Sequence, residues 1–264
     1  MNFENTEVFN FSGSLRGMRN PKNSWSKSDS RFNDYYDLSR GDVTEDELKM
    51  VFPSVYIHHR TPDGYFADII GENDIQLAQT LIKAGSEHRK FMRQIFISVD
   101  ITASLFWWKE FDTYKVGTVA NSTSTMHKLA TTPIMLDCFE IDDYDKNLSL
   151  ADNPSDDDGI DSISTFEEDI IYVLENIRQK YLETKDKRYW KELIRWLPES
   201  WLQKRTVTMT YENLLAMCSK SQRRFHKLNE WSGQDNPHVP NFISWARTLP
   251  YAQEFIFIDE LETN

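Results

Sequence analysis

The sequence predicts an α+β protein in which helices dominate. Segments with apolar side chains at helical spacing recur along the chain, and the clearest runs over residues 166–183. Shorter β-rich runs lie between the helical segments, at 55–59 and at 201–210. With 264 residues and 39% hydrophobic residues, the chain can bury the core of one large domain or of two small ones.

Charge and composition exclude several classes of function. The formal net charge of −12 argues against non-specific binding of nucleic acid, which requires a basic surface. No apolar run approaches the roughly 18 residues that a membrane span requires, and the polar N-terminus lacks the pattern of a signal peptide. Cys138 and Cys218 lie far apart and outside any metal-ligand spacing. We therefore expect a cytoplasmic protein with reduced thiols that binds neither nucleic acid nor a membrane.

The N-terminal region divides into an arm and the beginning of a domain. Residues 1–40 show little periodicity and mix basic with aromatic residues, so we predict an extended arm that packs on the body or on a neighbouring subunit. The domain is predicted to occupy 41–264. Thr44 and Glu47 form a capping-box pattern. The local patterns then predict a helix over 44–51, strands over 55–59 and 65–70 joined by a turn at Asp63-Gly64, and a helix over 73–84 that ends at Gly85.

The next segment leaves one choice open. A helix is predicted to begin at Ser86, but the run continues into the β-branched sequence I-S-V-D-I-T-A, so both a helix and a strand fit. Further on, residues 140–165 are rich in acids and are predicted to form a solvated loop, since they do not follow the spacing of an EF-hand. Helices are predicted over 166–183, 187–196, 211–231 and 240–257, and a strand over 201–210.

A central stretch, Ser104–Leu129, carries the densest set of candidate binding residues. Its aromatic first part is followed by Glu110, Tyr114 and Lys115 and then by the polar run N-S-T-S-T at 121–125. Hydroxyls and an amide between apolar flanks are typical of a pocket for a polar ligand. Asn121 and Ser124 are spaced so that they share a face on a helix or tight turn. The same Ser/Thr cluster also suits a helix N-terminal cap, and both interpretations can hold because a helix N-terminus itself attracts anions.

The same stretch resembles the signature of the flavin-dependent thymidylate synthases (the ThyX family), R-H-R-x-x-S-x-N-E-x-S-x-R-Y. Aligned without gaps on Tyr114–His127, the signature keeps its Asn at Asn121 and its second Ser at Ser124. The R-H-R triplet is replaced by Tyr-Lys-Val, and the later Arg by Met126. Flanking residues strengthen the resemblance in the order that the family has. These are Glu87-His88 upstream, and Arg195-Trp196-Leu197-Pro198, Arg205, Asn213, Arg224 and Asn229-Glu230-Trp231 downstream.

The resemblance covers roughly residues 45–257 and implies both a fold and a chemistry. It implies a helix-rich single domain with a central, mostly antiparallel sheet that assembles as a homotetramer with sites shared between subunits. It implies C5-methylation, or a related alkylation, of a pyrimidine deoxynucleotide, with methylene-tetrahydrofolate as the one-carbon donor, FAD as cofactor and NADPH as reductant. The loss of the signature arginines leaves a second hypothesis open, a non-catalytic protein that keeps the fold and binds a nucleotide or a partner. An unrelated helical protein with chance matches is a third.

The resemblance also assigns candidate roles, each beside a structural alternative. Glu110, Tyr114 and Lys115 stand in the place of the family's arginine-rich flavin contacts, so a flavin pyrophosphate would need other groups such as Arg89, Arg93 or backbone N–H. A salt bridge is the alternative for Arg205 and Arg224, and a helix cap is the alternative for Asn213. Arg223, Arg224 and His226 are expected to form a basic face on the predicted helix 211–231. The assigned roles are catalytic for Ser124, cofactor-binding for Glu87, His88, Tyr114, Lys115, Asn121 and Asn213, and substrate-binding for Glu110, Ser122, Arg205 and Arg224.

Overall fold

The computed structural model describes residues 1–150, 162–233 and 239–263. The chain divides into two compact units. Unit 1 comprises Met1–Phe3, Asp100–Thr113 and Ala120–Thr206, and unit 2 comprises Glu4–Val99, Tyr114–Val119 and Val207–Asn264. Among the helices of the described residues, none is both long and apolar enough to span a membrane.

The strands form two sheets. A four-stranded sheet has the order β1-β5-β7-β6, and a three-stranded sheet has the order β2-β4-β3. Both strand pairs of the smaller sheet are antiparallel, with Tyr36 opposite Tyr65 and Ile57 opposite Ala67. The strands are β1 (Asn2–Phe9), β2 (Arg31–Asp37), β3 (Tyr56–Thr61), β4 (Gly64–Ile69), β5 (Phe96–Ser104), β6 (Val119–Ser122) and β7 (Leu202–Thr210).

The structure combines many helices with antiparallel strand pairs, so the predicted α+β class is confirmed. Several of the helices are short, and polar side chains cap many of them. The helices are α1 (Phe11–Arg19), α2 (Glu45–Val51), α3 (Glu72–Lys83), α4 (Leu105–Phe111), α5 (Thr125–Lys128), α6 (Ile163–Thr184), α7 (Lys187–Arg195), α8 (Tyr211–Cys218), α9 (Lys220–Arg223), α10 (Asn229–Ser232), α11 (Phe242–Arg247) and α12 (Ala252–Phe255).

Unit 2 confirms the predictions made for its N-terminal part. The capping box of Thr44 and Glu47 begins α2, and α3 and the β3–β4 hairpin lie within two residues of their predicted bounds. Apolar side chains of α2 and the small sheet pack into one cluster that excludes water, which stabilises both. The segment after α3 forms a 3-10 turn over Lys90–Gln94 and then β5, so the open choice between helix and strand is resolved as strand. The cluster contains Leu48, Val55, Tyr65, Ala67 and Ile69.

Unit 1 has its own core around α6 and α7, both predicted from the sequence. Leu174 of α6 and Leu193 of α7 are completely or almost completely buried against apolar residues of the segment 129–139. Arg178 of α6 is also buried, and its Nη1 donates a hydrogen bond to the carbonyl oxygen of Ala130 at 3.1 Å. Polar and apolar contacts from α6 therefore both hold the segment that follows the polar run.

The prediction of two long C-terminal helices, over 211–231 and 240–257, is wrong. At Ser219 the backbone is extended, with φ −56° and ψ 149°, and the N–H of Lys220 donates to Asp259 Oδ2 at 2.6 Å instead of continuing the helix. Residues 211–231 therefore contain α8, α9 and α10. Pro250, which has no N–H to donate, and Tyr251 at φ 53° separate α11 from α12 within the predicted helix 240–257.

Two predicted segments are only partly addressed by the structure. Residues 1–40 contain β1, α1 and β2, so this segment has more regular structure than the sequence indicates. The division into an arm over 1–40 and a domain over 41–264 stays a prediction. Of the predicted acidic loop at 140–165, residues 151–161 lie outside the described residues.

Candidate functional site

A pocket in unit 2 combines an aromatic ring with cationic and hydroxyl side chains. Its cavity volume is about 550 Å³, within the range of small-molecule sites. Arg89 precedes the 3-10 turn at Lys90–Gln94, Lys83 ends α3, and Tyr114 begins the segment that leads to β6. The pocket is lined by Ile82, Lys83, Arg89, Tyr114, Leu215, Ala216, Ser219, Ser221, Gln222, Ile258 and Asp259.

Tyr114 rests on a buried aromatic stack. The rings of His226 and Trp231 are nearly parallel, with centroids 4.4 Å apart and an interplanar angle of 7°, and both residues are buried. The Tyr114 ring lies 5.9 Å from His226 and 5.8 Å from Trp231. His226 Nε2 lies 3.1 Å from the carbonyl oxygen of Met217, which fixes the imidazole. The stack therefore sets the orientation of the Tyr114 ring at the pocket wall.

The prediction that Arg223, Arg224 and His226 form a basic face on residues 211–231 is wrong. His226 is buried in the stack, and Arg223 forms an ion pair with Glu260. Hydrogen bonds from Arg247 and Arg223 hold the pKa of the Glu260 carboxyl below its usual range. Arg224, assigned to the substrate, is exposed and lies over the Phe225 ring at 4.6 Å.

Arg89, one of the two cations that line the pocket, is partly neutralised. Arg89 Nε donates to Glu212 Oε1 at 2.9 Å, and Arg93 Nη2 lies 3.6 Å from the same oxygen. A guanidinium has five N–H donors, and the contact with Glu212 occupies only one nitrogen of Arg89. Arg89 therefore keeps donors for an anionic group of a ligand, as the sequence suggested for a pyrophosphate.

The side-chain amide of Asn213 forms hydrogen bonds to two backbone groups of the protein. Its Oδ1 accepts from the Thr210 backbone N–H at 2.9 Å and completes a capping box at the start of α8. Its Nδ2 donates to the carbonyl oxygen of Val116 at 2.7 Å. Gly117 follows at φ +83° and faces the Asn213 side chain, where a Cβ atom would lie 3.5 Å from the amide. The structure thus supports the capping role and adds a contact that fastens the loop 115–118, in which Lys115 is exposed.

Glu87 and His88 lie in a different pocket of unit 2. Both are exposed and line a cavity of about 490 Å³ together with Lys22, Lys90 and Phe91. Lys90 Nζ lies 3.5 Å from Glu87 Oε2. The structure therefore does not bring these two predicted cofactor residues into the pocket that contains Tyr114.

The polar run lies in unit 1, where β6 leads through Thr123 into α5. Asn121 and Ser122 are exposed. Ser124 is half-buried and is the N-cap of α5, with its Oγ accepting from the His127 N–H at 3.3 Å. The capping interpretation of Ser124 is thus confirmed, while the hydroxyl keeps its own proton for donation to a ligand.

Arg205 and Glu110 are also in unit 1. Arg205 Nη1 donates to Asp112 Oδ1 at 3.0 Å, its Nε donates to Gln203 Oε1 at 2.9 Å, and its Cζ lies 4.2 Å from the centre of the Trp108 ring. The salt-bridge alternative therefore holds for Arg205. Glu110 is half-buried near the end of α4.

Sequence reasoning missed several of the pocket residues. Lys83, Ser219 and Gln222 carried no signal, because they lie in segments that read as ordinary helix. No group of three or more His, Cys, Asp or Glu side chains suited to a metal ion occurs within the described ranges.

The fold is that of the flavin-dependent thymidylate synthases, and the predicted resemblance is confirmed at the level of the fold. Thymidylate Synthase X (ThyX) from Helicobacter pylori, crystallised with FAD and dUMP, is similar at a TM-score of 0.56 and 13% sequence identity. The similarity covers 99% of this chain and 100% of that chain.

Weaker similarity extends to a UMP/dUMP methylase, PolB from Streptomyces cacaoi, bound with 5-Br dUMP. Its TM-score is 0.48 at 14% identity, over 96% of this chain and 93% of that chain. No family model matches the sequence. No curated protein matches it either.

Proposed function

We propose that this protein binds a pyrimidine deoxynucleotide and FAD and methylates C5 of the nucleotide in a thymidylate synthase-like reaction. The observation that carries the proposal is the similarity of fold over 99% of this chain to an enzyme crystallised with FAD and dUMP. In the proposed reaction methylene-tetrahydrofolate is the one-carbon donor and NADPH the reductant. We further propose a homotetramer, as the resemblance implies.

The pocket of unit 2 fits a flavin nucleotide by the chemistry of its donors. Tyr114 presents an aromatic ring, Lys83 and Arg89 are cations, and Ser219 and Ser221 are hydroxyl donors. A flat heterocycle and a phosphate are the two features of a flavin nucleotide that these groups recognise. FAD supplies the hydride chemistry when it is bound, and the protein's side chains bind and orient.

Three side chains of the pocket have roles that follow from their chemistry. The Tyr114 ring packs against His226 and Trp231 at interplanar angles of 58° and 59°, so it offers a surface of fixed orientation for a stacked ring. Arg89 offers its remaining N–H groups to a phosphate, and its planar fork suits two oxygens at once. Lys83 adds a point charge.

In unit 1 we propose that the polar run recognises the nucleotide. Asn121 offers an amide with both donors and acceptors, which matches the edge of a pyrimidine base. The Ser122 and Ser124 hydroxyls offer further donors. A hydroxyl of Ser124 that is placed by its cap bond can orient the base without forming a covalent bond to it.

Binding is tested first with the purified protein. We expect visible flavin absorbance or uptake of added FAD, and saturable binding of dUMP in calorimetry. Arg89→Ala is expected to weaken FAD binding about tenfold or more, because a charge-assisted hydrogen bond contributes about 1.5–3 kcal/mol. Lys90→Ala is the matched control, since Lys90 is the adjacent cation but does not line this pocket. A protein that takes up no FAD contradicts the flavin part of the proposal.

Turnover is tested second, with methylene-tetrahydrofolate present. NADPH oxidation is expected to depend on a pyrimidine nucleotide, and dUMP, UMP and dCMP are compared as substrates. Failure of all three to stimulate oxidation in a protein that binds FAD contradicts the methylation step.

Two observations favour the second candidate, a nucleotide-binding protein without catalysis. Tyr114, Lys115 and Val116 replace the signature triplet, and the cation Arg89 is already paired with Glu212. That candidate predicts nucleotide binding with no FAD uptake and no NADPH oxidation. Light scattering tests the proposed tetramer in either case.

A further inference from the structure

Strand β7 carries a polar side chain where its pattern predicts an apolar one. Residues of one face of a strand recur at every second position, and Val207 and Met209 on this face are completely buried. Gln203 has the same parity and is also buried, with 8% of its surface exposed. A buried amide costs free energy unless each end finds a hydrogen-bond partner, so the partners of Gln203 indicate what the side chain is for.

Both ends of the Gln203 amide are bonded, and the orientation is unambiguous. Oε1 accepts from Arg205 Nε at 2.9 Å, and Nε2 donates to the carbonyl oxygen of Thr123 at 2.9 Å. A guanidinium can only donate, so the amide oxygen must face Arg205 and the amide nitrogen must face Thr123. Arg205 is in turn held by Asp112 at 3.0 Å and by the Trp108 ring.

With the bond from Gln203, both backbone polar groups of Thr123 in the polar run are hydrogen-bonded. The N–H of Thr123 donates to the carbonyl oxygen of Lys204 at 2.8 Å, so both main-chain polar groups of Thr123 are bound by consecutive residues of β7. Thr123 lies between Ser122 and Ser124. Fixing its backbone therefore sets the directions of both neighbouring side chains.

The same pattern continues along the segment 121–130. Trp190 Nε1 donates to the carbonyl oxygen of Met126 at 3.1 Å, and Arg178 Nη1 donates to that of Ala130 at 3.1 Å. Side chains from three other elements thus bind this segment by its carbonyl groups. The side chains of the segment up to Lys128 are half-buried or exposed, so they stay accessible to a ligand.

We propose that Gln203 is a positioning residue that fixes the backbone at Thr123 and thereby presents Ser122 and Ser124 to the nucleotide. The identity of the ligand rests on the proposed function. The positioning itself rests on the contacts of Gln203, and Arg205 and Asp112 act through it. Arg205 then serves the site by orienting Gln203, in addition to any contact with a substrate phosphate.

The decisive variant is Gln203→Glu. A carboxylate of the same shape keeps an acceptor for Arg205 Nε but loses the donor to the Thr123 carbonyl, so only one of the two bonds is broken. We expect amide exchange of Thr123, whose N–H is bonded in the wild type, to rise about tenfold, as loss of one buried hydrogen bond predicts. The Kd for dUMP is expected to rise by about the same factor.

The matched control is Gln253→Glu. Gln253 is half-buried in unit 2 and donates its Nε2 to the carbonyl oxygen of Phe257 at 3.2 Å, so the substitution breaks the same kind of bond at another place. It is expected to change neither the exchange at 121–128 nor the affinity for dUMP. If Gln203→Glu does not fold, Gln203→Met, which removes both amide bonds without adding a charge, is measured in the same way.

Two results separate this inference from the proposed function. Unchanged exchange at Thr123 in a folded Gln203→Glu protein overturns the inference, as does a uniform increase across both units, which indicates a general loss of stability. Wild-type protein that binds no pyrimidine nucleotide contradicts the proposed function instead, and a rise in exchange confined to 121–128 then still supports the positioning by Gln203.

Discussion

The two segments that carry five of the eleven predicted site residues, 114–118 and 121–128, are held by different means. In unit 2, the segment 114–118 is fixed at one side chain, since the Tyr114 ring packs on the stacked rings of His226 and Trp231. Its backbone is fastened by Asn213 Nδ2 at the Val116 carbonyl, while the Val116 side chain is 89% exposed. In unit 1, the segment 121–128 is instead bound along its backbone, and most of its side chains are exposed.

The difference indicates what each segment can recognise. A ring held on a rigid aromatic wall offers one surface of fixed orientation, which suits the flat face of a ligand. A backbone fixed at its carbonyls offers a row of polar side chains with a small choice of rotamers, which suits the hydrogen-bonding edge of a ligand. The segment 114–118 therefore depends on buried aromatic packing, whereas the segment 121–128 depends on polar bonds from its neighbours.

The largest effect is expected for Trp231→Ala, which removes the wall behind Tyr114. Trp231 is completely buried and packs on His226 and on Phe242, with ring centroids 4.4 Å and 5.0 Å apart. Truncating a buried Trp typically costs about 3–5 kcal/mol, and we expect a loss of that size in urea unfolding. Trp196→Ala is the control, because Trp196 is 65% exposed and its loss should change the free energy of unfolding by less than about 0.5 kcal/mol.

Trp231→Phe sharpens this prediction for the site. It keeps a ring on His226 and should recover most of the stability and of the FAD affinity. Full FAD affinity in Trp231→Ala protein that remains folded would show that the orientation of Tyr114 does not matter.

On the unit 1 side, Arg178→Met removes a polar support of the segment that follows the polar run. The Arg178 side chain is 6% exposed and bonds Glu175 Oε1 at 2.6 Å as well as the Ala130 carbonyl. Breaking a buried ion pair by removing one partner costs about 3–5 kcal/mol. We expect about 3 kcal/mol, at the lower end, because 27% of the Glu175 side chain is exposed and can hydrate.

Lys180→Met is the control for Arg178→Met. Lys180 lies on the same helix and pairs with Glu183 at 3.1 Å, but both side chains are mostly exposed. Its substitution should leave urea unfolding nearly unchanged, as is usual for surface pairs. Equal effects of the two substitutions would contradict a supporting role for Arg178.

The same ion pair predicts a dependence of stability on acid. Hydrogen bonds from Arg178 and then from the Ile134 N–H and Gln179 outweigh the effect of burial and lower the pKa of Glu175 from 4.5 to about 2. Because the folded pKa is depressed, the stabilisation is fully present above pH 4.5 and is lost as pH falls toward about 2. After allowance for solvent screening we expect about 1–2 kcal/mol.

Glu175→Gln tests that dependence. The variant should be less stable than the wild type at neutral pH and should converge with it as the pH falls through this window. Glu183→Gln, at an exposed carboxylate of the same helix, should keep the acid profile of the wild type. If the free energies of unfolding of Glu175→Gln and the wild type fall in parallel as the pH is lowered, Glu175 does not cause the acid dependence of stability.

Local sequence signals predicted the elements that local contacts determine. The capping box of Thr44 and Glu47 gives the start of α2, and the apolar stripe of 166–183 gives α6. The long helix over 211–231 failed because its interruption depends on Asp259, which binds the Lys220 N–H across a separation of 39 residues. No sequence pattern around Ser219 predicts the contact between Lys220 and Asp259.

The site was predictable to a similar degree. Tyr114 stands in the polar stretch and does line a pocket, but its supports His226 and Trp231 lie more than a hundred residues later in the chain. His88 was assigned by resemblance and lies in another pocket. Gln203 did carry a local signal, since the alternation of L-Q-K-R-T-V-T-M-T places it on the face of Val207 and Met209.

The smallest effect on stability is expected for Asn213→Asp, which removes the hydrogen bond from Asn213 Nδ2 to the Val116 carbonyl in the segment 114–118. The carboxylate keeps the acceptor for the Thr210 N–H but cannot donate to the Val116 carbonyl. A negative charge in the first turn of α8 is favourable by about 0.3–1 kcal/mol, which offsets the loss of a hydrogen bond of similar size. We therefore expect the free energy of unfolding to change by less than about 1 kcal/mol.

Asn213→Asp should change amide exchange in the loop 115–118 much more than it changes the free energy of unfolding. The Thr118 N–H, which donates to the Lys115 carbonyl at 3.2 Å, should exchange several-fold faster, because the loop that it closes has lost its fastening to α8. Asn241→Asp is the control, since Asn241 caps α11 and donates to the Val239 carbonyl at 3.1 Å in the same manner, and it should leave Thr118 unaffected. Unchanged exchange at Thr118 would mean that the packing of Tyr114 alone holds this segment, and that the two segments differ even more than their hydrogen bonds indicate.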